Sequence, residues 1–208
     1  MSLLDDRPTT APDRARLVAV ALFVLTVGQL AVATFVPGLP QFEGKAFGSR
    51  LFAYPLLMVA PVVVWWLVAR RRGSRSPLPW AAFAFIAAPF LIDVTGNTLD
   101  LYDSVTWWDD ANHFANWLLL SLGVGLMLQR ADIRPTWVIG VAVVGLGALL
   151  AIAWELAEWW TFIRHGTELD TAYTDTLSDQ ALGTLGAAVA GAVLVIKERG
   201  RTRSSRPS

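Results

Sequence analysis

Cysteine is absent from this sequence, and charged residues are scarce. With no cysteine among its 208 residues, the chain has no disulfide, no thiolate metal ligand and no cysteine nucleophile. Charged residues make up 16% of the chain, against about 25% in an ordinary soluble domain. Because 54% of the residues are hydrophobic, this balance indicates a polytopic membrane protein rather than a water-soluble one.

Motifs that would identify a reaction are absent as well. The sequence has no Walker loop, no dinucleotide-binding glycine fingerprint and no Ser-His-Asp nucleophile elbow. Its basic residues fall in short segments without interleaved aromatic residues, which argues against a nucleic-acid partner. The function must therefore be sought in the polar residues of the membrane domain.

What the sequence does contain is a series of apolar runs long enough to cross a bilayer, for which about 20 helical residues are needed. We predict an all-α, polytopic membrane bundle of about six transmembrane helices over residues 16–196. A tail over residues 1–15 precedes this membrane domain, and a basic tail over residues 197–208 follows it. The predicted spans cover residues 16–36, 51–70, 78–96, 111–129, 136–160 and 179–196.

The orientation of the bundle follows from its basic residues. Fourteen of the 17 lysine and arginine residues fall in segments that lie on one side if the spans alternate. The other side holds only Lys45, Arg50 and Arg164. Because cytoplasmic segments carry the excess of positive charge, both termini are predicted to be cytoplasmic.

Three of the predicted spans carry paired ionisable residues at their extracytoplasmic ends. Members of a pair are three or four residues apart and therefore share a helix face. The pairs are Asp109 with His113 on the fourth span, Glu155 with Glu158 on the fifth, and Asp175 with Asp179 on the sixth. Other acidic residues are predicted to be solvated loop charges: Asp100, Asp103, Glu168 and Asp170.

The stretch 154-WELAEWW-160 places Glu155 and Glu158 inside an otherwise apolar span. At about 1.5 Å per residue, Glu155 lies roughly 7 Å below Trp160, which marks the aromatic belt at the interface. A charge facing lipid is costly, and two glutamates on one face repel each other. A shared proton, a bound cation or a basic partner such as His113 must therefore neutralise them, and each of these implies a polar cavity.

We predict that the six side chains form one functional site. Glu155 or Glu158 would be the general base and His113 an acid or a ligand, while the three aspartates would bind or orient. A divalent cation in this site would be bound by Glu155, Glu158, His113 and Asp179. Carboxylates with one imidazole suit magnesium, manganese, calcium, iron or zinc, and the sequence does not choose among them. The Glu-x-x-His spacing of di-iron bundles is absent.

Three functions remain open. The first is a metal-dependent enzyme that acts on a lipid or a lipid-linked envelope precursor, with membrane lipids as its surroundings. The second is a proton or cation transporter, because buried carboxylates are common relay groups. Against it, the inner stretches 118-LLLSLGVGLML-128 and 137-WVIGVAVVGLGALLAIA-153 of the fourth and fifth spans contain only Ser121 as a polar side chain. The third is a structural or accessory subunit, for which mixed charges or amides would be expected. Whether the chain is an enzyme, and its oligomeric state, stay open.

Small residues predict close packing of the last three spans. Gly183, Ala187 and Gly191 form a stripe on the sixth span, and the fifth span carries further glycines, Gly140, Gly145 and Gly147. Such residues let membrane helices approach closely. Close packing would bring the three acidic pairs together.

The order Asp-x-x-x-His, Trp-Glu-x-x-Glu and Asp-Thr-x-x-Asp, followed by Gly-Ala, resembles the YjdF-like family of bacterial inner-membrane proteins. It is more distantly similar to the VanZ-like family, which is associated with resistance to teicoplanin. The matching residues, within about 100–190, are Asp109, His113, Glu155, Glu158, Asp175, Asp179, Gly186 and Ala187. The resemblance implies a helical bundle in the bacterial plasma membrane with an extracytoplasmic polar site, and it supplies no reaction. These families commonly have Asn or Asp four residues after the aspartate that corresponds to Asp179. This chain has Gly183 there.

Overall fold

The computed structural model describes residues 14–36, 38–73, 77–130, 133, 135–164 and 169–204, and within these ranges the chain is helical and has no strand. A 3₁₀ turn lies at Pro40–Phe42 and a π-helical turn at Trp159–Ile163. The predicted tail up to residue 13 and the last residues of the basic tail, 205–208, lie outside the described residues. The α-helices are α1 Arg14–Phe35, α2 Phe47–Arg71, α3 Trp80–Thr98, α4 Leu101–Ser104, α5 Trp108–Gln129, α6 Trp137–Glu158 and α7 Leu169–Ser204.

All of these helices except the short α4 are long and apolar enough to cross a membrane. Large apolar side chains cover their outward faces; Phe52 is 73% exposed and Leu156 is 63% exposed. In water such a surface would drive association, whereas in a bilayer it faces lipid chains. The prediction of an all-α bundle with six long apolar helices is confirmed.

The helices do not end where the apolar runs end. The last helix begins at Leu169 and continues to Ser204, beyond both ends of the predicted span 179–196. Hydropathy marks the apolar part of a helix, whereas polar residues such as those of 169–178 and 197–204 can continue the same backbone hydrogen bonding. Asp175 and Asp179 therefore lie within α7, and the span boundaries stay predictions.

The bundle consists of two groups of helices. In the first group α1 contacts both α2 and α3, and in the second α5, α6 and α7 all contact one another. Contacts between α3 and α5 join the two groups. Leu30 and Val94 are fully buried in the first group, and Val143 and Ala190 are almost fully buried in the second. The predicted acidic pairs all belong to the second group.

Glycines allow the helices of the second group to approach closely, as predicted. A Cβ atom added at Gly191 would lie 3.0 Å from the carbonyl oxygen of Gly140. A Cβ at Gly186 would overlap the carbonyl oxygen of Phe114 and lie 2.9 Å from the backbone nitrogen of Leu118. Among the glycines predicted to pack closely, Gly145 is the exception, because a Cβ atom added there would meet no atom within 4 Å.

We expect Gly186→Ala to destabilise the protein, because its methyl group would push against backbone atoms of α5 that cannot rotate away. The expected cost is about 1–3 kcal/mol, as for other overpacked sites. It would be measured as a lower melting temperature of the detergent-solubilised protein. Gly145→Ala is the matched control and should melt as the wild type does or slightly higher. Equal melting of the Gly186→Ala variant and the wild type would refute the close contact of α5 with α7.

Candidate metal site at the end of α5, α6 and α7

The first turns of α5, the last turns of α6 and the first half of α7 meet at one end of the bundle. This is the end predicted to be extracytoplasmic. The hydroxyl of Ser178 on α7 donates a hydrogen bond of 3.3 Å to Asp110 Oδ1 on α5. The contacts among the three helices bring together five of the six predicted site residues: Asp109, His113, Glu155, Glu158 and Asp179.

His113 lies at the centre of this cluster. Its Nε2 is 3.5 Å from Asp109 Oδ1 and 3.7 Å from Asp179 Oδ2, and its Nδ1 is 3.7 Å from Glu155 Oε1. All three distances exceed the roughly 2.7–3.2 Å of an ordinary hydrogen bond, the two at 3.7 Å by the most. One imidazole therefore faces carboxylates from three helices without closing a hydrogen bond to Glu155 or Asp179.

The members of the cluster differ in their access to the surroundings. Glu155 and Asp179 are buried, at 3% and 2% exposure, whereas the side chain of Asp109 is 39% exposed. Glu158 is half-buried. Within the described part of the chain, neither Glu155 nor Asp179 forms an ion pair with lysine or arginine. The negative charge is thus concentrated beside one imidazole.

Two groups of three residues could each hold a metal ion, with ligand atoms that lie within 4.8 Å of one another. One group is Asp109, His113 and Asp179, and the other is His113, Glu155 and Glu158. The predicted ligand set is therefore divided between two groups that share His113, and Asp109 joins as a further candidate.

Asp175 is the predicted site residue that stands apart. It is exposed and belongs to neither candidate metal group. It interacts electrostatically with Glu155 and Asp179, so it contributes charge from the edge of the cluster. The catalytic and ligand roles of all six residues stay predictions.

Two amides, the buried Asn112 and the half-buried Asn116, extend the polar surface along α5. Asn116 Nδ2 donates to Asn112 Oδ1 at 3.2 Å, and Asn112 Nδ2 donates to the carbonyl oxygen of Trp108 at 3.0 Å. The sequence prediction missed both residues. Their signal is visible in 107-WWDDANHFANW-117, where two asparagines four residues apart share a face close to that of His113.

Gly183 has a structural explanation. A Cβ at this position would lie 2.6 Å from Cδ1 of Trp117, and Trp117 is only 8% exposed. The indole therefore occupies the space into which an Asn or Asp side chain would point.

A second polar cluster, between α2 and α3, is centred on Asp93. Its Oδ2 accepts hydrogen bonds from Arg50 Nη1 and the Tyr54 hydroxyl, each at 2.5 Å. Its Oδ1 accepts from Asn97 Nδ2 at 3.1 Å and the Tyr102 hydroxyl at 3.0 Å. The sequence prediction placed Arg50 on the extracytoplasmic side and did not pair it with Asp93. The opposite charges at the start of α2 and the end of α3 were the available signal.

Glu158 connects the two clusters. Its strongest electrostatic interactions are with His113 and Asp109 on one side and with Asp93 and Arg50 on the other. One half-buried carboxylate on α6 thus lies between the cluster around His113 and the cluster around Asp93.

Asp100 and Asp103, predicted to be solvated, are partly exposed and form ion pairs with Lys45 at 2.5 and 2.8 Å. Partial burial lowers the pKa of Lys45, but the bonds to the two aspartates outweigh it, so that the pKa is raised. The hydrogen bond from Lys45 lowers the pKa of Asp100. Glu168 lies outside the described residues, and Asp170 lies in α7.

The chain matches, over residues 15–200, the family described as "Predicted membrane protein (DUF2238)". The chain belongs to this family. It is the family to which the YjdF-like resemblance pointed, and that resemblance is therefore confirmed. The more distant similarity to the VanZ-like family has no support. Neither the curated proteins nor the solved structures gave a match.

We expect Asp93→Asn to destabilise the protein strongly, because it removes the carboxylate that pairs with the largely buried guanidinium of Arg50. Removing one partner of a buried ion pair costs about 3–5 kcal/mol, and the amide keeps part of the hydrogen bonding. Thermal unfolding should therefore begin well below that of the wild type. Asp103→Asn, at a side chain that is 65% exposed, is the control and should cost no more than about 1 kcal/mol. Similar melting of both variants would contradict the buried pair.

The contribution of Lys45 to stability should depend on pH. Because the pKa of Asp100 is lowered, its ionised side chain stabilises the fold at pH values above the ordinary pKa of 3.8, and this stabilisation is lost as the pH falls below that value. Because the pKa of Lys45 is raised, its protonated side chain stabilises the fold at pH values below the ordinary pKa of 10.5, and this stabilisation is lost as the pH rises above that value. The difference in melting temperature between the wild type and Lys45→Met should be constant between these limits and shrink outside them. A difference that changes with pH around neutrality would contradict the ion pairs.

Proposed function

We propose that this chain is a metal-dependent enzyme of the bacterial plasma membrane that acts on a lipid or a lipid-linked envelope precursor at the extracytoplasmic side. One observation carries the proposal. The imidazole of His113 lies among carboxylates from α5, α6 and α7, at distances that leave space for a cation. Ionisable residues within membrane-spanning helices are rare and usually mark a functional site.

The charge of the cluster favours a bound cation. Carboxylates that are close together and shielded from water repel one another, and either protons or a cation must compensate. A divalent ion bound by oxygen atoms and one imidazole nitrogen would polarise a phosphoryl or carbonyl oxygen, or activate water, which is the chemistry needed to cleave an ester. The three-residue groups leave coordination positions open for a substrate, as catalytic sites require.

The surroundings favour a substrate that lies at the membrane surface. Asp109 is partly exposed, and the tryptophans around this end are exposed, with Trp107 at 62% and Trp160 at 61%. Indole rings at such positions lie at head-group depth. The half-buried Glu158 is suited to accept a proton from an attacking water, because it combines access with the negative charge of its neighbours.

A transporter would need a polar path towards the other side of the membrane. Below His113, the next polar side chains of α5 are Asn116, which is half-buried, and Ser121, which is 2% exposed. The next buried positions of α5 are Gly123 and Gly125, packed against Ile86 and Leu194. The polar path therefore ends half-way within the described residues, which disfavours transport.

We expect purified wild-type protein to contain a stoichiometric divalent metal by elemental analysis, and His113→Ala to have lost it. A deletion strain complemented with His113→Ala should keep the lipid and envelope-precursor composition of the deletion. Asp110→Asn is the matched control, because it removes an exposed charge beside the site and should behave as the wild type. A metal-free wild type, together with full complementation by His113→Ala, would refute the proposal. Cation flux in proteoliposomes that is abolished by Glu155→Gln would establish the transporter instead.

A further inference from the structure

We infer that the cation is bound on the Nε2 side of His113, between Asp109 and Asp179, and that Glu155 accepts the Nδ1–H of the same ring. Glu155 is then a positioning residue rather than a metal ligand. This inference rests on the proposed metal site and deepens it. It leaves Glu158 as the carboxylate that is available to accept a proton.

The chemistry of imidazole requires a choice between the two candidate groups. A neutral imidazole has one nitrogen with a lone pair and one that carries a proton. His113 can therefore bind a metal on one side only, and its other nitrogen must donate a hydrogen bond. Metal-binding histidines almost always give that hydrogen bond to a carboxylate or a carbonyl oxygen, which fixes the ring.

The distances on the Nε2 side suit a metal ion. Two ligand atoms about 2.1 Å from a tetrahedral metal lie about 3.4 Å apart. Nε2 lies 3.5 Å from Asp109 Oδ1 and 3.7 Å from Asp179 Oδ2. Small side-chain movements would bring the three atoms to coordination distance.

The Nδ1 side requires a hydrogen-bond acceptor. His113 is 9% exposed, and its Nδ1 is fully buried with no hydrogen-bond partner among the described residues. A buried polar atom without a partner is costly. Glu155 Oε1, at 3.7 Å, is a buried carboxylate that can approach to form a charge-assisted hydrogen bond of about 2.8 Å.

Access also distinguishes the two sides. A hydrated cation and a substrate can reach Asp109, whose side chain is 39% exposed, whereas the side chain of Glu155 is 4% exposed. The Nε2 side of the ring therefore includes a ligand that is open to the surroundings, and the Nδ1 side faces a buried carboxylate.

The test is a titration of the purified, detergent-solubilised protein with Co²⁺, followed by its visible absorption. Asp109→Asn and Asp179→Asn should each weaken Co²⁺ binding more than 100-fold. Glu155→Gln, which can still accept the Nδ1–H, should stay within about 10-fold of the wild type, and Glu155→Ala should weaken binding about 10–100-fold, as losses of such partners do. Asp110→Asn is the control for a lost charge at this end of α5.

If the aspartate variants bound Co²⁺ strongly and Glu155→Gln or Glu158→Gln did not bind it, the inference would be overturned. The proposed function would be left intact. No binding by the wild type, together with a metal-free elemental analysis, would overturn both. A measurement on folded protein with its site intact guards against variants that fail to fold. In ¹⁵N-histidine-labelled protein loaded with ¹¹³Cd²⁺, with His165→Gln removing the other histidine signal, coupling to cadmium should appear at Nε2 and a proton at Nδ1. Coupling at Nδ1 would refute the assignment.

Discussion

The backbone contact of α5 with α7 at Gly186 is the constraint on which the candidate site depends. Gly183 and Gly186 lie four and seven residues after Asp179, and therefore on the same face of α7. They meet Trp117 and the backbone of Phe114 and Leu118, in the turns just after His113. Larger residues at these positions would move the two helices apart and separate the imidazole from the carboxylate of Asp179. The close packing of α5 against α7 thus sets the distance between His113 and Asp179.

Two polar clusters at the same end of the bundle compensate charge in different ways. Around Asp93, four donors from α2, α3 and α4 satisfy both carboxylate oxygens, and a guanidinium balances the charge. Around His113, several carboxylates face a single imidazole. The carboxylate of Asp93 is paired within the protein, whereas Glu155 and Asp179 form no ion pair with lysine or arginine among the described residues. This difference separates a cluster that stabilises the fold from one suited to bind something, although both consist of residues that a hydropathy profile treats alike.

The sequence predicted the parts of the fold that depend on composition and periodicity. Six apolar helices and the convergence of Asp109, His113, Glu155, Glu158 and Asp179 followed from hydropathy, span alternation and helical spacing. The sequence could not predict which nitrogen of His113 faces which carboxylate, because that depends on the rotation of three packed helices. It also could not assign Asp175 to the edge of the site, since one helical turn separates a buried aspartate from an exposed one. The pairing of Arg50 with Asp93 depended on the contact of α2 with α3, which adjacency in sequence alone does not specify.

The position of Ser121 bears on how the proposed site would respond to the membrane potential. Within the described part of the chain, the polar side chains of α5 begin beneath the interface and apolar packing follows Ser121. A cation bound at the proposed site would therefore lie near the predicted extracytoplasmic surface of the membrane. With Glu155 about 7 Å below the belt of a core about 30 Å thick, such an ion would cross only about a quarter of the transmembrane voltage. A full crossing is worth about 2.3 kcal/mol per charge for each 100 mV. The occupancy of the site should therefore respond only weakly to the membrane potential, and a cell could depolarise without emptying it.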